Sequence, residues 1–273
     1  EKPDQLLSFL EPINLRVLMC TMGLGIKTIV AERNDPHGVN KFWMMDQIEK
    51  FVYSRADKIL VQTATIKRFF DGKLKKKTHV IYNPVVLSED MVGKALITPK
   101  KKRIVSVARL KPQKGHDMLI KAFAKFCKSH PDYSLTIYGS GPQRDKLEQL
   151  AARLRVGNKV FLPGVIKNIH QEILDAEIFS LASCREGMSN SMIEAMCLGL
   201  PCVCTRVSGA VDLIEDGRNG LLVDVGDEEA LFQQFCRVAD NHDLASQLGN
   251  NAKNLFYQLR IEVITRRWIE LLS

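Results

Sequence analysis

The sequence predicts an α/β protein made of doubly wound, parallel-sheet layers. Three observations carry that prediction. From residue 103 onward, short apolar runs alternate with amphipathic helical patterns. Those runs are mostly apolar, as strands buried on both faces tend to be. The first 90 residues show the same alternation in reduced form, set apart by a polar stretch at 87–102. A chain of 273 residues has room for two medium domains.

Taken in order, apolar runs at 26–31, 58–61 and 80–82 read as strands. Helical patterns lie around 15–22, 42–55 and 66–70. That is about half of a doubly wound domain, so the chain is expected to start mid-domain, without its first strands. Asn83-Pro84 ends the last of these strands, and 87–102 reads as an interdomain linker. The later strands are expected at 104–108, 135–138, 160–162, 178–181, 202–204 and 221–223. Helices are expected at 117–129, 143–154, 170–176, 191–198 and 228–239, with a final amphipathic helix at 261–272. Glycine-rich turns at 139–142 (GSGP) and 217–220 (GRNG) punctuate the pattern.

Composition narrows the class. The chain is 45% hydrophobic and 26% charged, as soluble globular proteins are. No apolar stretch approaches the ~18–20 residues that span a bilayer. The first residue is Glu1, with no initiator Met and no signal-like segment, which reads as an excised piece. Seven scattered cysteines, without zinc-finger spacing, read as reduced, buried thiols of a cytosolic protein, and no structural metal is expected.

The formal net charge is +8, with basic runs at 73–77 (KLKKK) and 100–103 (KKKR). These read as solvated loop charge, or as attraction to a polyanion or an anionic membrane surface. Nucleic acid is disfavoured, because no aromatic-rich strand or helix-turn-helix signature accompanies them. No G-x-G-x-x-G and no G-x-x-x-x-G-K-[ST] occurs, which removes the main support for a dinucleotide dehydrogenase or a P-loop nucleoside triphosphatase.

An open α/β sheet binds ligands at the carboxyl ends of its strands. Two stretches sit there. In VARLKPQKGHDMLIKAF, Arg109 closes a strand and Lys114 precedes Gly115 and a helix. Two cations beside a helix N-terminus suit a diphosphate, the guanidinium as a fork and the ammonium as a point charge. They could equally be ordinary polar loop residues.

The second stretch is CREGMSNSMIEAMCLGLPCVCT. Glu186 follows a strand, Gly187 permits close approach, and Glu194 lies in the next helix. Ser191 and Glu194 spell S-x-x-E, so Glu194 is also a candidate for helix capping. The alternative is a carboxylate accepting bonds from vicinal sugar hydroxyls, as acidic residues do on a ribose.

Arg109 with Lys114, the 139–142 turn, the pair Glu186 and Glu194, and GRNGLLV at 217–223 together resemble family 4 glycosyltransferases of the GT-B fold. Glu-x7-Glu is that family's hallmark. AERNDP (31–36), ADKILVQT (56–63), IYNPV (81–85) and EGMSNSMIEAM resemble its bacterial branch, which builds capsule, O-antigen and lipid-linked glycans.

The resemblance implies a GT-B architecture of two Rossmann-like domains, the first incomplete. It implies a partial acceptor-side domain at 1–90, a nucleotide-sugar domain at 91–256, and a tail at 257–273 that packs back on the first. Arg109 and Lys114 would hold the donor diphosphate, Glu194 the ribose and Glu186 the transferred sugar. Val165 and Ile166 would flank the base. Gly139, Gly141, Gly187, Met188, Ser189, Asn190 and Ser191 would line the same site. The family retains anomeric configuration without a catalytic metal, and the chain contains no D-x-D.

Two features depart from the family. No Gly-rich loop opens the first domain; Gly23 and Gly25 come later. Glu32-Arg33-Asn34 stands where the family often has a His, which makes Glu32 a candidate for a catalytic or acceptor-side role; His37 lies nearby. Asp212 stands where Glu is more usual.

The resulting expectation is a retaining transfer of a hexose or N-acetylhexosamine from a UDP-linked sugar. The acceptor is lipid-linked or polysaccharide, and the setting is cytoplasmic, peripheral to the inner membrane. Competing readings are a nucleotide-sugar epimerase or hydrolase of the same fold, and a nucleotide-binding fragment without turnover.

Overall fold

The computed structural model describes residues 3–33 and 43–273. Two parallel sheets organise them. The first has four strands in the order β1 (Gln5–Phe9), β2 (Lys27–Glu32), β3 (Lys58–Val61) and β4 (Thr78–Val80). Between them run α1 (Glu11–Cys20), α2 (Trp43–Tyr53), the short α3 (Ala64–Lys67) and α4 (Gly72–Lys77). Strands added one after another through right-handed crossovers place their helices on one face. Leu18 of α1, Tyr53 of α2 and Leu74 of α4 accordingly share one core cluster with Val30, Ile59 and Val61.

After α5 (Glu89–Ile97) comes the second sheet, β5 (Lys101–Val107), β6 (Ser134–Tyr138), β7 (Val160–Gly164), β8 (Ala176–Leu181), β9 (Cys202–Thr205) and β10 (Leu221–Val223). Its spatial order is β10-β9-β8-β5-β6-β7. The order reverses between β5 and β8, so the crevice at their carboxyl ends is the topological switch point. Around it pack α6 (His116–Phe126), α7 (Arg144–Arg153), α8 (Ile169–Ile173), α9 (Asn190–Cys197), α10 (Ser208–Leu213), α11 (Glu228–Ala239), α12 (His242–Ala252), α13 (Leu255–Leu259) and α14 (Ile261–Leu272).

Phe123 and Phe126 of α6 meet Phe235 of α11 in the core beneath one face. Each such buried side chain contributes about 1.5–3 kcal/mol relative to exposure. A second cluster runs from Phe179 and Met192 to Ile29, Ala31 and Leu60, so both sheets share one apolar core.

The chain crosses between the sheets on the way out, before α5, and on the way back, after α13. The two crossings pair: Val85 N donates to Leu259 O at 2.7 Å, and Val85 and Arg260 form a parallel bridge. Beyond the return crossing, α14 lies on the first sheet. Gln5 Nε2 donates to Leu272 O at 3.0 Å, Lys58 Nζ donates to Leu271 O, and Trp268 packs on Phe9 with centroids 6.3 Å apart.

Several expectations change. QLLSF forms a strand, β1, pairing Leu7 with Ile29, although no strand is expected before residue 26. The stretch read as a linker holds α5, whose N-cap Ser88 accepts from Met91 N at 3.2 Å. The basic runs are not loops. Lysines 73, 75, 76 and 77 lie in α4, and 101–103 open β5. The helix expected at 170–176 is shorter, because Ala176 already opens β8. Cys20 and Cys184 are exposed rather than buried. No helix among the described residues is long and apolar enough to cross a membrane.

Candidate active site

At the switch point the loops after β5 and β8 lie side by side. Cys184 N donates to Gln113 O at 2.8 Å, and Gln113 Nε2 donates to Arg185 O at 2.8 Å. This brings Lys114 to Glu186, with Nζ 2.7 Å from Oε1 and 2.5 Å from Oε2. Each side chain is only 13% exposed. Gly115 makes the approach possible: its φ is +63°, and a Cβ there would sit 1.9 Å from Ala182 O.

The β5 loop is also stitched to its other neighbour. Ala108 N donates to Tyr138 O at 3.0 Å and Leu110 N to Ser140 O at 2.9 Å. Gly139 and Gly141 fit against that backbone, where a Cβ would meet Ala108 O at 2.1 Å and Leu110 O at 2.4 Å respectively. Both glycines therefore serve loop packing here. Arg109 projects from this braced loop and is exposed.

Helix α9 begins where the sequence suggests, but with a different cap. Ser189 is the N-cap, and its Oγ accepts from Met192 N at 3.4 Å. Ser191 Oγ lies 3.1 Å from Ser189 Oγ. The expected capping box of Ser191 and Glu194 does not form, because Glu194 is two residues beyond Met192, the third helical position that a box on Ser189 requires. Its Oε2 instead lies 3.2 Å from His170 Nε2 at the edge of the crevice, without hydrogen-bond alignment. Glu186 and Glu194 thus have separate partners. Val165 is exposed after β7, and Ile166 packs on the core.

The first sheet reaches the same loop. A Cβ on Gly187 would stand 2.7 Å from Arg33 O. Asn83 N donates to Met188 Sδ at 3.3 Å, and Asn83 Nδ2 donates to Asn190 Oδ1 at 2.6 Å. Arg33 Nη1 donates to Asn83 Oδ1 at 2.8 Å while its guanidinium lies over Phe9. Burial holds the Arg33 pKa below its ordinary value.

Glu32 is buried at the end of β2. Its Oε2 accepts from Tyr53 Oη at 2.6 Å and its Oε1 from Arg33 N at 3.2 Å. Burial, and then the Glu32 charge, push the Tyr53 hydroxyl far above the usual phenol range. Asn34 and His37 lie outside the described residues.

A profile described as "Glycosyl transferases group 1" matches residues 88–255, which contain the whole β5–β8 crevice. The chain belongs to this family.

Two relatives of this glycosyltransferase come from Campylobacter jejuni. One is N-acetylgalactosamine-N,N'-diacetylbacillosaminyl-diphospho-undecaprenol 4-alpha-N-acetylgalactosaminyltransferase, 34% identical over 79% of this chain and 58% of its own length. The other is GalNAc-alpha-(1->4)-GalNAc-alpha-(1->3)-diNAcBac-PP-undecaprenol alpha-1,4-N-acetyl-D-galactosaminyltransferase, 27% identical over 100% of this chain and 75% of its own. The chain therefore spans only part of either relative. Among solved structures, Anabaena HepE in complex with UDP superposes with a TM-score of 0.85 at 20% identity, over 98% of this chain and 78% of that one. TarM superposes at 0.84 and 22%, over 100% and 56%. These likenesses give the fold, GT-B, with two parallel sheets.

Three features of this glycosyltransferase escape a reading of the sequence. Asp212 of α10 caps α3 across the crevice, accepting from Ala64 N, from Thr65 N at 3.1 Å and from Thr65 Oγ1 at 2.6 Å. His116 is buried at the start of α6, and neither ring nitrogen has a hydrogen-bond partner among the described residues. Burial pushes its pKa down to about 4. Asn83 joins the sheets. Asn83 and Asp212 left sequence signals, the IYNPV motif and a departure from the more usual Glu, but neither signal gave a partner.

Proposed function

We propose that the chain transfers an N-acetylhexosamine or hexose from a UDP-linked sugar to a lipid-linked or polysaccharide acceptor, with retention at the anomeric carbon. One observation carries this reading. The switch-point crevice sets Lys114 and Glu186 beside the start of α9, and Ser189 relieves Glu194 of any capping task. The activities named for the Campylobacter relatives support an N-acetylgalactosamine donor and a diphospho-undecaprenol acceptor. The UDP complex of HepE supports the base.

Breaking the bond from the anomeric carbon to phosphate leaves positive charge on the sugar and negative charge on the departing diphosphate. Lys114, Arg109 and the N–H groups at the start of α9 would meet the second charge. Glu194 would accept from the ribose hydroxyls, and Glu186 from hydroxyls of the transferred sugar. The backbone at Val165 and Ile166, with Gly139, Gly141, Gly187 and Met188 around it, would border the donor. Glu32 is best read as a buried anchor of Tyr53, set behind the acceptor side. The setting we propose is the cytoplasmic face of a membrane, where lipid-linked acceptors present their sugars.

The test is calorimetry with UDP, GDP and ADP, followed by a transfer assay with UDP-N-acetylgalactosamine and a polyprenyl-diphosphate-linked sugar. Selective UDP binding that is lost in Glu194→Ala, together with acceptor-dependent sugar transfer, is expected. Equal binding of the three nucleotides, or release of free sugar without any acceptor product, would overturn the reading.

A further inference from the structure

The crevice occupies the carboxyl ends of the second sheet. A cavity lies at the opposite end, under the amino ends of β5, β8 and β9. Its volume is about 640 Å³, within the range of small-molecule sites, about 300–1,000 Å³. Glu177, the second residue of β8, Tyr133, just before β6, and Pro201, just before β9, line it, and α12 supplies Lys253. Its walls are in backbone contact. Gly199, in the turn after α9, has a φ of +70°, and a Cβ on Gly249 of α12 would stand 2.2 Å from Gly199 O.

The charges in this lining are uncompensated. Glu177 is only 8% exposed. It accepts from Tyr133 Oη at 2.8 Å and forms no ion pair among the described residues. Burial, and then the Glu177 carboxylate, push the Tyr133 hydroxyl far above the usual phenol range, so it stays a neutral donor. A buried carboxylate without a cation is costly, and one neutral hydroxyl offsets only part of that cost.

Two lysines of the lining also lack an acid. Lys100 Nζ donates to Leu174 O at 2.6 Å and Lys253 Nζ to Asn250 Oδ1 at 2.9 Å, and neither forms an ion pair among the described residues. The acids nearby are engaged elsewhere: Asp175 with Lys101 and Arg103, Asp132 with Lys102, and Asp240 with His130.

We propose that this cavity binds a phosphate monoester carrying a primary amine, of the size of an amino-sugar phosphate, with its ammonium on Glu177 and its phosphate on Lys100 and Lys253. A simple cation would be repelled by the lysines, and inorganic phosphate by the carboxylate. A molecule with both charges meets all three groups through charge-assisted hydrogen bonds. The volume favours a sugar skeleton over a smaller one. The cavity and the donor crevice lie at opposite ends of the sheet, so neither needs the other to fill.

The test is calorimetry on the wild-type chain, with and without saturating UDP. The probes are glucosamine 6-phosphate, N-acetylglucosamine 6-phosphate, O-phosphoethanolamine and inorganic phosphate. Glucosamine 6-phosphate should bind about tenfold more tightly than its N-acetyl form, which lacks the ammonium, as the loss of one charge-assisted hydrogen bond implies. Glu177→Gln keeps an acceptor for Tyr133 Oη and should erase that preference. Lys100→Ala with Lys253→Ala should weaken both sugar phosphates by about tenfold while keeping the preference for the amine.

No binding of glucosamine 6-phosphate, equal binding of the N-acetyl form, or an amine preference that survives Glu177→Gln would overturn the proposal. So would tighter binding of O-phosphoethanolamine, which has the same two charges without the sugar. Displacement by UDP would do the same, because the ligand would then sit in the crevice. A chain that binds no UDP would leave all these outcomes readable, so this site and the donor site fail separately.

Discussion

Lys114 and Glu186 close a two-point ion pair between the loops that follow the adjacent strands β5 and β8. The strands meet at the switch point, so a ligand that separates the pair must replace both partners. A diphosphate can replace the carboxylate, and sugar hydroxyls can replace the ammonium. Lys114→Ala should therefore weaken UDP binding and lower kcat by about 10²–10³, the size of a lost preorganised donor. Glu186→Gln should bind UDP nearly normally but transfer sugar poorly. Calorimetry and a sugar-transfer assay separate the two.

Ser189, not Glu194, caps α9, which leaves Glu194 to the ligand-binding role proposed for it. Ser189→Ala should lower stability by about 1 kcal/mol, the usual cost of losing an N-cap. Glu194→Ala should leave the thermal midpoint nearly unchanged and abolish UDP binding. A fall in stability for Glu194→Ala comparable with that for Ser189→Ala would return Glu194 to a structural role.

Asp212 supplies a cap to a helix of the other sheet, and that cap exists only while the crevice is closed at this edge. Asp212→Ala should cost about 0.5–2 kcal/mol and increase amide exchange at Ala64 and Thr65. Thr65→Val should remove only the hydroxyl contribution, leaving the two backbone donors protected. Hydrogen exchange read residue by residue checks both.

His116 gives a pH dependence with a definite sign. Burial holds its folded pKa at about 4, below the ordinary imidazole value of 6.5. The unfolded chain therefore binds the proton more readily. Stability linked to His116 is fully present above pH 6.5, falls as pH drops towards 4, and is flat below that. The full span is about 3 kcal/mol. His116→Phe should flatten this part of the profile, as chemical denaturation between pH 7 and 4 would report.

Two glycines should respond oppositely to the same substitution. Gly187→Ala would place its Cβ 2.7 Å from Arg33 O. It should push the sheets apart at the crevice, lowering both stability and turnover. Gly93 in α5 has nothing within 4 Å of the added Cβ, so Gly93→Ala should stabilise by about 0.5–1 kcal/mol through helix propensity alone. Thermal melts of the two variants compare them directly.

Much of the second sheet is legible in the sequence because its strands are buried on both faces, and runs such as CVCT at 202–205 leave little ambiguity. β1 escaped because QLLSF is short and mixes polar with apolar residues, as an edge strand does. α5 escaped because Gly93 and its flanking charges hide a helix that Ser88 starts.

In the site, Lys114 and Glu186 were legible as loop residues after strands, and the sheet order explains why they meet. The cap at Ser189 was misplaced by two residues because serines stand at both 189 and 191, and only the backbone geometry chooses between them. His170 beside Glu194, Asp212 on α3 and Asn83 on Asn190 join positions 24, 147 and 107 residues apart. Pairings of that range depend on how the sheets come together, and no local pattern encodes them.

The paired crossings at Val85 and Leu259 have a mechanical meaning. Two chain segments held side by side behave as a two-ply cord. Such a cord yields to twisting along its length far more readily than to stretching or shearing. A turn of one sheet on the other would pivot at the paired crossings, and Asp212, Asn83 and Gly187 would travel with it. A disulfide between the plies would stiffen that pivot without touching the crevice.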